Sequence, residues 1–375
     1  MPGPLEGLRV LEIGGSVAGA YASTVLADLG ADVLRVDRAA QVPGEPHPPA
    51  PDPLARGRRS AAVDLRHPDG PAVVLSLVEH ADVVVEGGRP GVAEKLGIGP
   101  EQCLERNPAL VYGRVSGWGQ DGPMARRAGH DITFLGVAGA LAPTEPGGAP
   151  AVPPPYYLSS FAGGALPLVI GIQAALLERS RSGRGQVVDA AIAEGTALLA
   201  VMVDQWRRTP GRVTVVDAPF YRTYPCADGR HVSVGAVEPH FYRELLNRLD
   251  LGDVDLPDQY DEAGWPVLTE HLAAAFGRRD STEWEKVFAD SDACVAPVLA
   301  PAEVAEHPQL KARGSFVDVG GQLQPAPAPR LSRTPATAPA PAPYVGQHTA
   351  PALRDWGLGE SAVADLLASG AVKGV

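Results

Sequence analysis

The stretch Leu8–Arg38, LRVLEIGGSVAGAYASTVLADLGADVLRVDR, decides the fold. Leu8–Gly15 is a short apolar run ending in glycines, the pattern of a buried strand. A helix follows, and then a second strand at Asp32–Asp37. Strand, helix, strand is a βαβ unit and implies a parallel sheet. Gly14, Gly15 and Gly19 superficially resemble a dinucleotide fingerprint, but the spacing is GGxxxG, not GxGxxG, so a nicotinamide site is poorly supported. Arg35 and Arg38 flank the end of the second strand. The carboxyl ends of such strands are where ligands bind in open α/β sheets.

The alternation continues downstream. Ala40–Arg59 is a proline-rich loop closing on Arg56, Arg58 and Arg59. Ser60–Leu65 reads as a strand, a helix starts at Asp69, and Asp82–Gly87 is another strand. Arg89 sits in a Gly-Arg-Pro-Gly turn, and Ala109–Gly119 is a further strand. It runs into Trp118–Phe134, WGQDGPMARRAGHDITF, where Asp131 is a plausible N-cap for a following helix. His130 would then stand where backbone N–H groups and the helix dipole favour negative charge, a good place for a base beside a developing oxyanion. The plainer reading is a loop histidine that caps or packs. Val152–Leu158 is rich in proline and tyrosine, Ser159–Arg179 reads as a long, mostly buried helix kinked at Pro167, and Gln186–Ala190 as a strand before an amphipathic helix ending near Arg208.

After a linker at Thr209–Phe220 the texture changes. YRTYPCADGRHVSVGAV is two β-type runs joined by Ala-Asp-Gly, a hairpin signal, and three helical patterns and a strand candidate follow. Ala326–Pro343 is proline-dense and reads as an extended linker, and the tail carries one more helix. The net charge of −12 makes a nucleic-acid or anionic-membrane role an unlikely default, so an anionic ligand must be held by local arginines. Cys103, Cys226 and Cys294 are far apart and odd in number, without a metal-binding pattern, and read as core thiols in a reducing compartment. No signal segment is evident at the start and no stretch approaches a membrane span, so the expected location is cytoplasmic.

Several segments, in this order and spacing, carry a resemblance: PLEGLRVLEIG, LADLGADVLRVDR, ADVVVEGGRPGVAEKLGIG, YGRVSGWGQDGP, AGHDI, GRGQVVDAAI, YPCADGRHVSVGAVEPHFY and SDACVAPVL. With them the chain resembles the family III CoA-transferases, and within that family the α-methylacyl-CoA racemases. The resemblance implies an α/β fold: a large doubly wound, Rossmann-like domain plus a smaller α+β domain, in an interlocked homodimer. Its domains would be 1–208 for the first part of the large domain, 209–220 as linker, 221–322 as small domain, 323–343 as proline-rich linker and 344–375 returning to the large domain. It implies His130 as acid/base with Glu238 holding it, and the backbone N–H of Asp131 as donor to the thioester oxygen. Arg38, Arg58, Arg59 and Arg89 match positions near the coenzyme A. The thioester of coenzyme A is substrate, and no cofactor or metal is required. A phosphopantetheine-linked acyl group is the other form in which the substrate could arrive.

One departure matters most. The racemases use an aspartate as second base, and the transferases use the matching aspartate to form acyl anhydrides. An ungapped match from the VPP start to the GI-x-AAL end puts Ser160 at that place. A serine hydroxyl is neither a carboxylate nucleophile nor, unassisted, a base near neutral pH. Plain two-base racemisation is therefore in doubt. Three readings stand: one-base α-proton chemistry, including elimination or loss of a β-carbon fragment; epimerisation with a substitute acid such as Ser160, Tyr156, Tyr157 or a water; and a non-catalytic acyl-CoA-binding homologue. A family III CoA transferase and an acyl-CoA dehydratase or lyase are the alternative activities. The shortened linker VVDAPFY, together with Tyr156 and Tyr157, suggests a different acyl group.

Overall fold

The computed structural model of the chain describes residues 3–42, 52–141, 156–209, 215 and 218–374. Parts of three expected segments lie outside the described residues: 43–51 of the proline-rich loop, 152–155 before the tyrosines, and 210–214, 216 and 217 of the linker. Two compact units are present: residues 1–142, 151–200 and 312–375 in the first, and 143–150 with 201–311 in the second.

The first unit starts with β1 (Arg9–Ile13), α1 (Val17–Asp28) and β2 (Asp32–Arg38), the βαβ unit read from the sequence. Then come β3 (Arg58–Val63), α2 (Gly70–Val78), β4 (Val83–Glu86), α3 (Val92–Lys95), α4 (Pro100–Arg106), β5 (Val111–Ser116) and α5 (Asp131–Val137). A π-helical segment at Tyr157–Ala165 leads into α6 (Leu166–Ser182), β6 (Gln186–Ala191) and α7 (Ile192–Arg208). The strands make a sheet in the order β3-β2-β1-β4-β5-β6, all parallel. That is the doubly wound order, with the winding reversing between β1 and β4. Alternation within the apolar runs still assigns faces. Leu11, Leu34, Val84 and Tyr112 enter one core with α2 and α4. Val10, Val33, Val83, Val85 and Val111 enter the other with α1 and α6.

The β1–α1 turn explains its glycines. A Cβ on Gly15 would meet the Gly87 carbonyl at 2.8 Å, and one on Gly87 would meet Ser16. Gly14–Ser16 and Gly87–Gly88 thus touch backbone to backbone across the reversal point. Ser16 Oγ accepts the Gly19 N–H at 3.1 Å and caps α1.

Two expectations about the apolar helix need correction. Ser159–Arg179 is not one kinked α-helix: Pro167 falls in the first turn of α6, and the preceding turns are π-helical. The helix runs on through Leu166, whose N–H bonds back to the Phe161 carbonyl, so Pro167 removes one backbone donor where the π-helical turns give way to α6. Nor is the chain free of a membrane-length stretch. Tyr157–Ser182 spans 26 residues and contains an 18-residue window of mean hydropathy 1.7, enough by length and composition to cross a bilayer, yet 44 % of that window is buried. Leu168, Val169, Ile172 and Ala175 pack against the sheet, as a core helix does. Its other side leaves Ile170 65 % and Leu177 66 % exposed, as α7 leaves Leu198 72 % exposed.

The second unit holds β7 (Tyr221–Pro225), β8 (His231–Gly235), α8 (Pro239–Arg248), α9 (Trp265–Phe276), α10 (Ser281–Phe288), β9 (Val295–Pro297) and α11 (Pro308–Ala312), the last residue of which is counted with the first unit. β7 and β8 form the expected hairpin, turning at Gly229 with φ of +75°, where a side chain is disfavoured. β9 adds an antiparallel third strand. Phe220, Tyr224, Phe276, Trp284 and Phe288 form an aromatic core.

The chain then returns to the first unit. β10 (Phe316–Val319) and β11 (Gln322–Pro325) make a hairpin that belongs there, not to a small domain ending at 322. Arg56 is the reason: it pairs with Asp28 of α1 and donates to the Pro325 carbonyl at 2.6 Å. α12 (Thr349–Asp355), α13 (Glu360–Ser369) and β12 (Val372–Lys373) finish the unit, with β12 antiparallel to β3.

Asp228 ties the second unit's hairpin to α10. Its carboxylate accepts from Ser281 Oγ at 2.7 Å and Ser281 N at 3.0 Å. These bonds, the Ser281 hydroxyl first, hold the carboxyl below the usual carboxylate range. A group shifted down adds stability above its unfolded pKa, about 3.9, and loses it as pH falls through the folded value. Asp228→Asn is expected to lower the melting temperature at pH 7. The gap from the parent should narrow below about pH 4, as followed by circular dichroism.

Candidate active site

β5 ends at Ser116, at the carboxyl edge of the sheet, and the chain there enters the loop that carries His130. Both ends of that loop close on one ring. A Cβ on Gly117 or on Gly129 would come within 2.4–2.5 Å of Phe134. Trp118 packs edge-on against the same ring, with centroids 4.8 Å apart. Phe134 lies in the first turn of α5, so this packing sets where α5 begins.

The helix start differs from the sequence reading by one residue. His130 is the N-cap, with extended φ and ψ of −132° and 171°, and Asp131 is the first helical residue. The His130 carbonyl accepts Thr133 N at 2.8 Å and Thr133 Oγ1 at 2.7 Å, and the His130 N–H donates to Thr133 Oγ1 at 3.0 Å. Asp131 does not cap because its carboxylate is engaged elsewhere: Oδ1 accepts the Ser160 N–H at 2.7 Å. Asp131 is 7 % exposed, and its Oδ2 is buried without a hydrogen-bond partner among the described residues. His130 is exposed, and as the N-cap it forms a capping box with Thr133. The Asp131 N–H, first in the helix, has no intrahelical acceptor.

Ser160 sits in the middle of the π-helical segment, 7 % exposed. π-Helical turns are rare and frequently mark functional sites. The segment opens at Tyr156, whose φ of 70° is uncommon for a bulky residue. Its neighbours are braced. Ser159 Oγ lies 2.8 Å from Thr196 Oγ1, which donates to the Ile192 carbonyl at 2.7 Å. A Cβ on Gly195 would fall 1.9 Å from the Gly163 carbonyl, so α7 meets this turn backbone to backbone. Phe161 stacks on Tyr21 of α1 at 4.3 Å and on Tyr156 at 6.1 Å. Tyr156 and Tyr157 are 42 % and 64 % exposed.

The four candidate arginines divide by strand end. Arg38, at the carboxyl end of β2, and Arg89, in the turn after β4, are exposed and make no ion pair among the described residues. Arg58 and Arg59 open β3, at the amino end of a parallel strand, the wrong end for a ligand in this architecture. The Arg58 side chain is fully buried, 2.5 Å from Glu12, and also donates to the Ala20 carbonyl and Thr24 Oγ1. Burial pushes the Glu12 carboxyl up and the Arg58 guanidinium down, each offset by the other's charge. Arg59 pairs with Asp32 and Asp355. Both arginines are thus engaged in ion pairs within the first unit. A cavity of about 690 Å³ lies at this same amino edge, lined by Arg59, Tyr344 and His348 among others. It is remote from the strand ends that carry His130.

The sequence reading missed a cluster beside Arg89. Arg114 of β5 donates to Glu86 at 3.2 Å and to Glu94 at 2.8 Å, and Glu86 accepts the Gly88 N–H at 2.5 Å. Burial pushes the Glu86 carboxyl up, and Arg114 opposes that. Alternating charge in apolar strands (Glu86, Arg114) was the available signal. In the second unit Glu238 is the N-cap of α8, exposed, with φ and ψ of −73° and 142°. Cys294 is exposed and not a core thiol, at φ of 54°; partial burial and then the Glu238 and Asp292 carboxylates push its pKa up. Among the described residues no group of three or more metal-ligating side chains occurs. The structure thus brings Asp131 and Ser160 into contact, with His130 next in chain, in the first unit, and puts Glu238 in the second.

The family model for CoA-transferase family III matches residues 5–349. The chain is 42 % identical to an α-methylacyl-CoA racemase of Mus musculus, covering 96 % of each chain. It is 33 % identical to a succinyl-CoA–D-citramalate CoA-transferase of Chloroflexus aurantiacus, covering 92 % of each. Among solved structures it is similar to a CAIB/BAIF family protein from Brucella suis, with a TM-score of 0.80 at 26 % identity, covering 95 % of this chain and all of that one.

Removing Arg58 would strand Glu12 as a buried, unpaired carboxylate. Arg58→Ala is therefore expected to cost about 3–5 kcal/mol of stability by urea unfolding. Arg58→Met with Glu12→Leu should recover most of it, since an apolar pair of similar volume carries no desolvation cost.

Proposed function

The chain belongs to CoA-transferase family III, and we propose that within it the protein carries out racemase-type α-proton chemistry on an acyl-CoA. That it is an enzyme acting on an acyl-CoA follows from the family and from racemases about 40 % identical over 96 % of the chain. The observation that carries the finer reading is the start of α5. His130 stands exposed at the helix N-cap, next to the Asp131 N–H, which has no intrahelical acceptor.

The chemistry follows from that juxtaposition. A thioester α-proton is too weakly acidic for a free side chain, so its removal needs an oriented base and a donor to the enolate oxygen. His130 takes the α-proton, and the Asp131 N–H at the helix start holds the oxygen as negative charge develops there. Glu238, from the second unit of a partner chain in an interlocked homodimer, fixes the imidazole tautomer and stabilises the imidazolium. The exposed Ile170, Leu177 and Leu198 give such a dimer apolar surface to bury. Arg38 and Arg89, at the carboxyl edge and free of ion pairs among the described residues, hold the phosphates. No further cofactor takes part, and the reaction runs in the cytoplasm.

Ser160 occupies the place of the family's aspartate. The second proton donor is then a hydroxyl or a water, and return of the proton to the face it left is faster than delivery to the opposite face. A transferase reading has the support of the Chloroflexus relative. It lacks a carboxylate at residue 160 to carry the acyl group.

Deuterium wash-in at the α-carbon tests this, using straight-chain, 2-methyl-branched and 3-hydroxy acyl-CoAs in D₂O. Wash-in is expected to outrun inversion of configuration. His130→Ala should slow wash-in by about 10²-fold or more, the usual contribution of a general base. Ser160→Asp should raise inversion relative to wash-in. Absence of exchange with every thioester, or exchange indifferent to His130→Ala, would overturn the proposal.

A further inference from the structure

We propose that the Tyr156 ring forms the wall of an acyl subsite for a flat aromatic group, so that the preferred thioester carries an aryl ring close to its α-carbon. This rests on the enolate chemistry above for where the reacting carbon lies, and adds the class of acyl group. Three rings of the first unit stack through Phe161. Tyr21 of α1 lies 4.3 Å from it with planes 16° apart, and Tyr156 lies 6.1 Å from it with planes 29° apart. Tyr21 and Phe161 are partly buried, whereas Tyr156 is 42 % exposed and touches no other ring among the described residues. The stack therefore ends in an open aromatic face. That face lies beside the reaction position, because residue 160 directly precedes Phe161 and is bonded through its N–H to Asp131 at the start of α5.

The backbone shows that this ring is held against strain. Tyr156 has φ of 70° and ψ of −25°, in the left-handed region that a bulky side chain disfavours. Its carbonyl accepts the Phe161 N–H at 2.9 Å, so the same bend closes a π-helical turn and lays the Tyr156 ring against Phe161. Glycine or asparagine would make that bend with less strain. What tyrosine supplies in their place is the ring, and strained residues of this kind cluster at ligand sites. Tyr157 and Leu158, 64 % and 48 % exposed, continue the apolar surface up to the buried Ser159 and Ser160. Apolar side chains around a few placed polar groups are the usual lining of a substrate site. The flat face then selects among acyl groups. An aryl ring stacked on it gains a quadrupole attraction that a saturated ring of the same skeleton lacks.

The test uses full-length protein and compares 2-methyl-3-phenylpropanoyl-CoA with its cyclohexyl counterpart. These thioesters differ in the π-system and not in the carbon skeleton or the substitution at the α-carbon. Deuterium wash-in is expected to favour the phenyl thioester in kcat/KM by about two- to tenfold, the range of a single aromatic pair. Tyr156→Phe should keep that preference. Tyr156→Asn, which removes the ring and suits the left-handed backbone, should abolish it. Both thioesters are run on one preparation, so a partly unfolded variant still gives a valid ratio. Calorimetric binding of the two thioesters to the His130→Ala protein reads the subsite without turnover and should show the same preference. A phenyl preference absent from both measurements, or one that Tyr156→Asn leaves unchanged, overturns the proposal. A parent that exchanges neither thioester overturns the enolate chemistry instead, and the binding ratio still decides the aryl subsite. If Tyr156→Asn does not fold, the parent decides: preference for the phenyl thioester supports the subsite, and equal or reversed preference overturns it.

Discussion

A parallel strand buried on both faces meets water only at its ends, and that constraint organises the first unit. β1 is flanked by β2 and β4, with Val10 and Leu11 fully buried on opposite faces. Polar chemistry is therefore displaced to the loops, and the direction of the strands separates two edges. The carboxyl edge carries the turns around Gly15 and Gly87, the exposed Arg38 and Arg89, and the loop to His130. The amino edge carries Arg59 with Asp32 and Asp355, closed by Trp356 donating to Asp32 at 3.2 Å. Arg38 and Arg59, on neighbouring strands, thus stand at opposite edges of one sheet, and strand polarity is what separates them.

Ions inside this sheet follow a different logic from those at its edges. Glu12 and Arg58 face each other across β2, and Arg58 also donates to the Ala20 carbonyl and Thr24 on α1. Such a pair adds little net stability, because desolvation consumes most of the attraction, but it tolerates only one registration of helix on sheet. The Glu86–Arg114–Glu94 group does the same for the turn after β4. There one oxygen of Glu86 reaches the Gly88 N–H, so the charge network fixes the backbone that carries Arg89. Arg89, which makes no ion pair among the described residues, thus sits on backbone held by the paired Arg114.

The βαβ start, the parallel order and the Ala-Asp-Gly hairpin were legible because each is written in local residue pattern. So was the loop bearing His130, as the stretch where glycines, charge and a helix start coincide. What was not legible depended on partners distant in sequence. Asp131 looked like a cap because nothing nearby reveals Ser160, 29 residues on, as its partner. The burial of Arg58 was hidden because its partner Glu12 lies 46 residues back. The hairpin after residue 315 looked like part of the small domain until Arg56 tied it to α1. The π-helical segment has the composition of an α-helix, and only its contacts with Thr196, Asp131 and Tyr21 distinguish it.

Those contacts also give Ser160 a physical context. An aspartate at residue 160 would bring a second carboxylate to a segment already holding the buried Asp131. In a low-dielectric setting that second charge is expensive unless a proton is shared or a cation is near. With serine, the Asp131 carboxylate keeps its bond to the backbone N–H of residue 160 without a second carboxylate beside it.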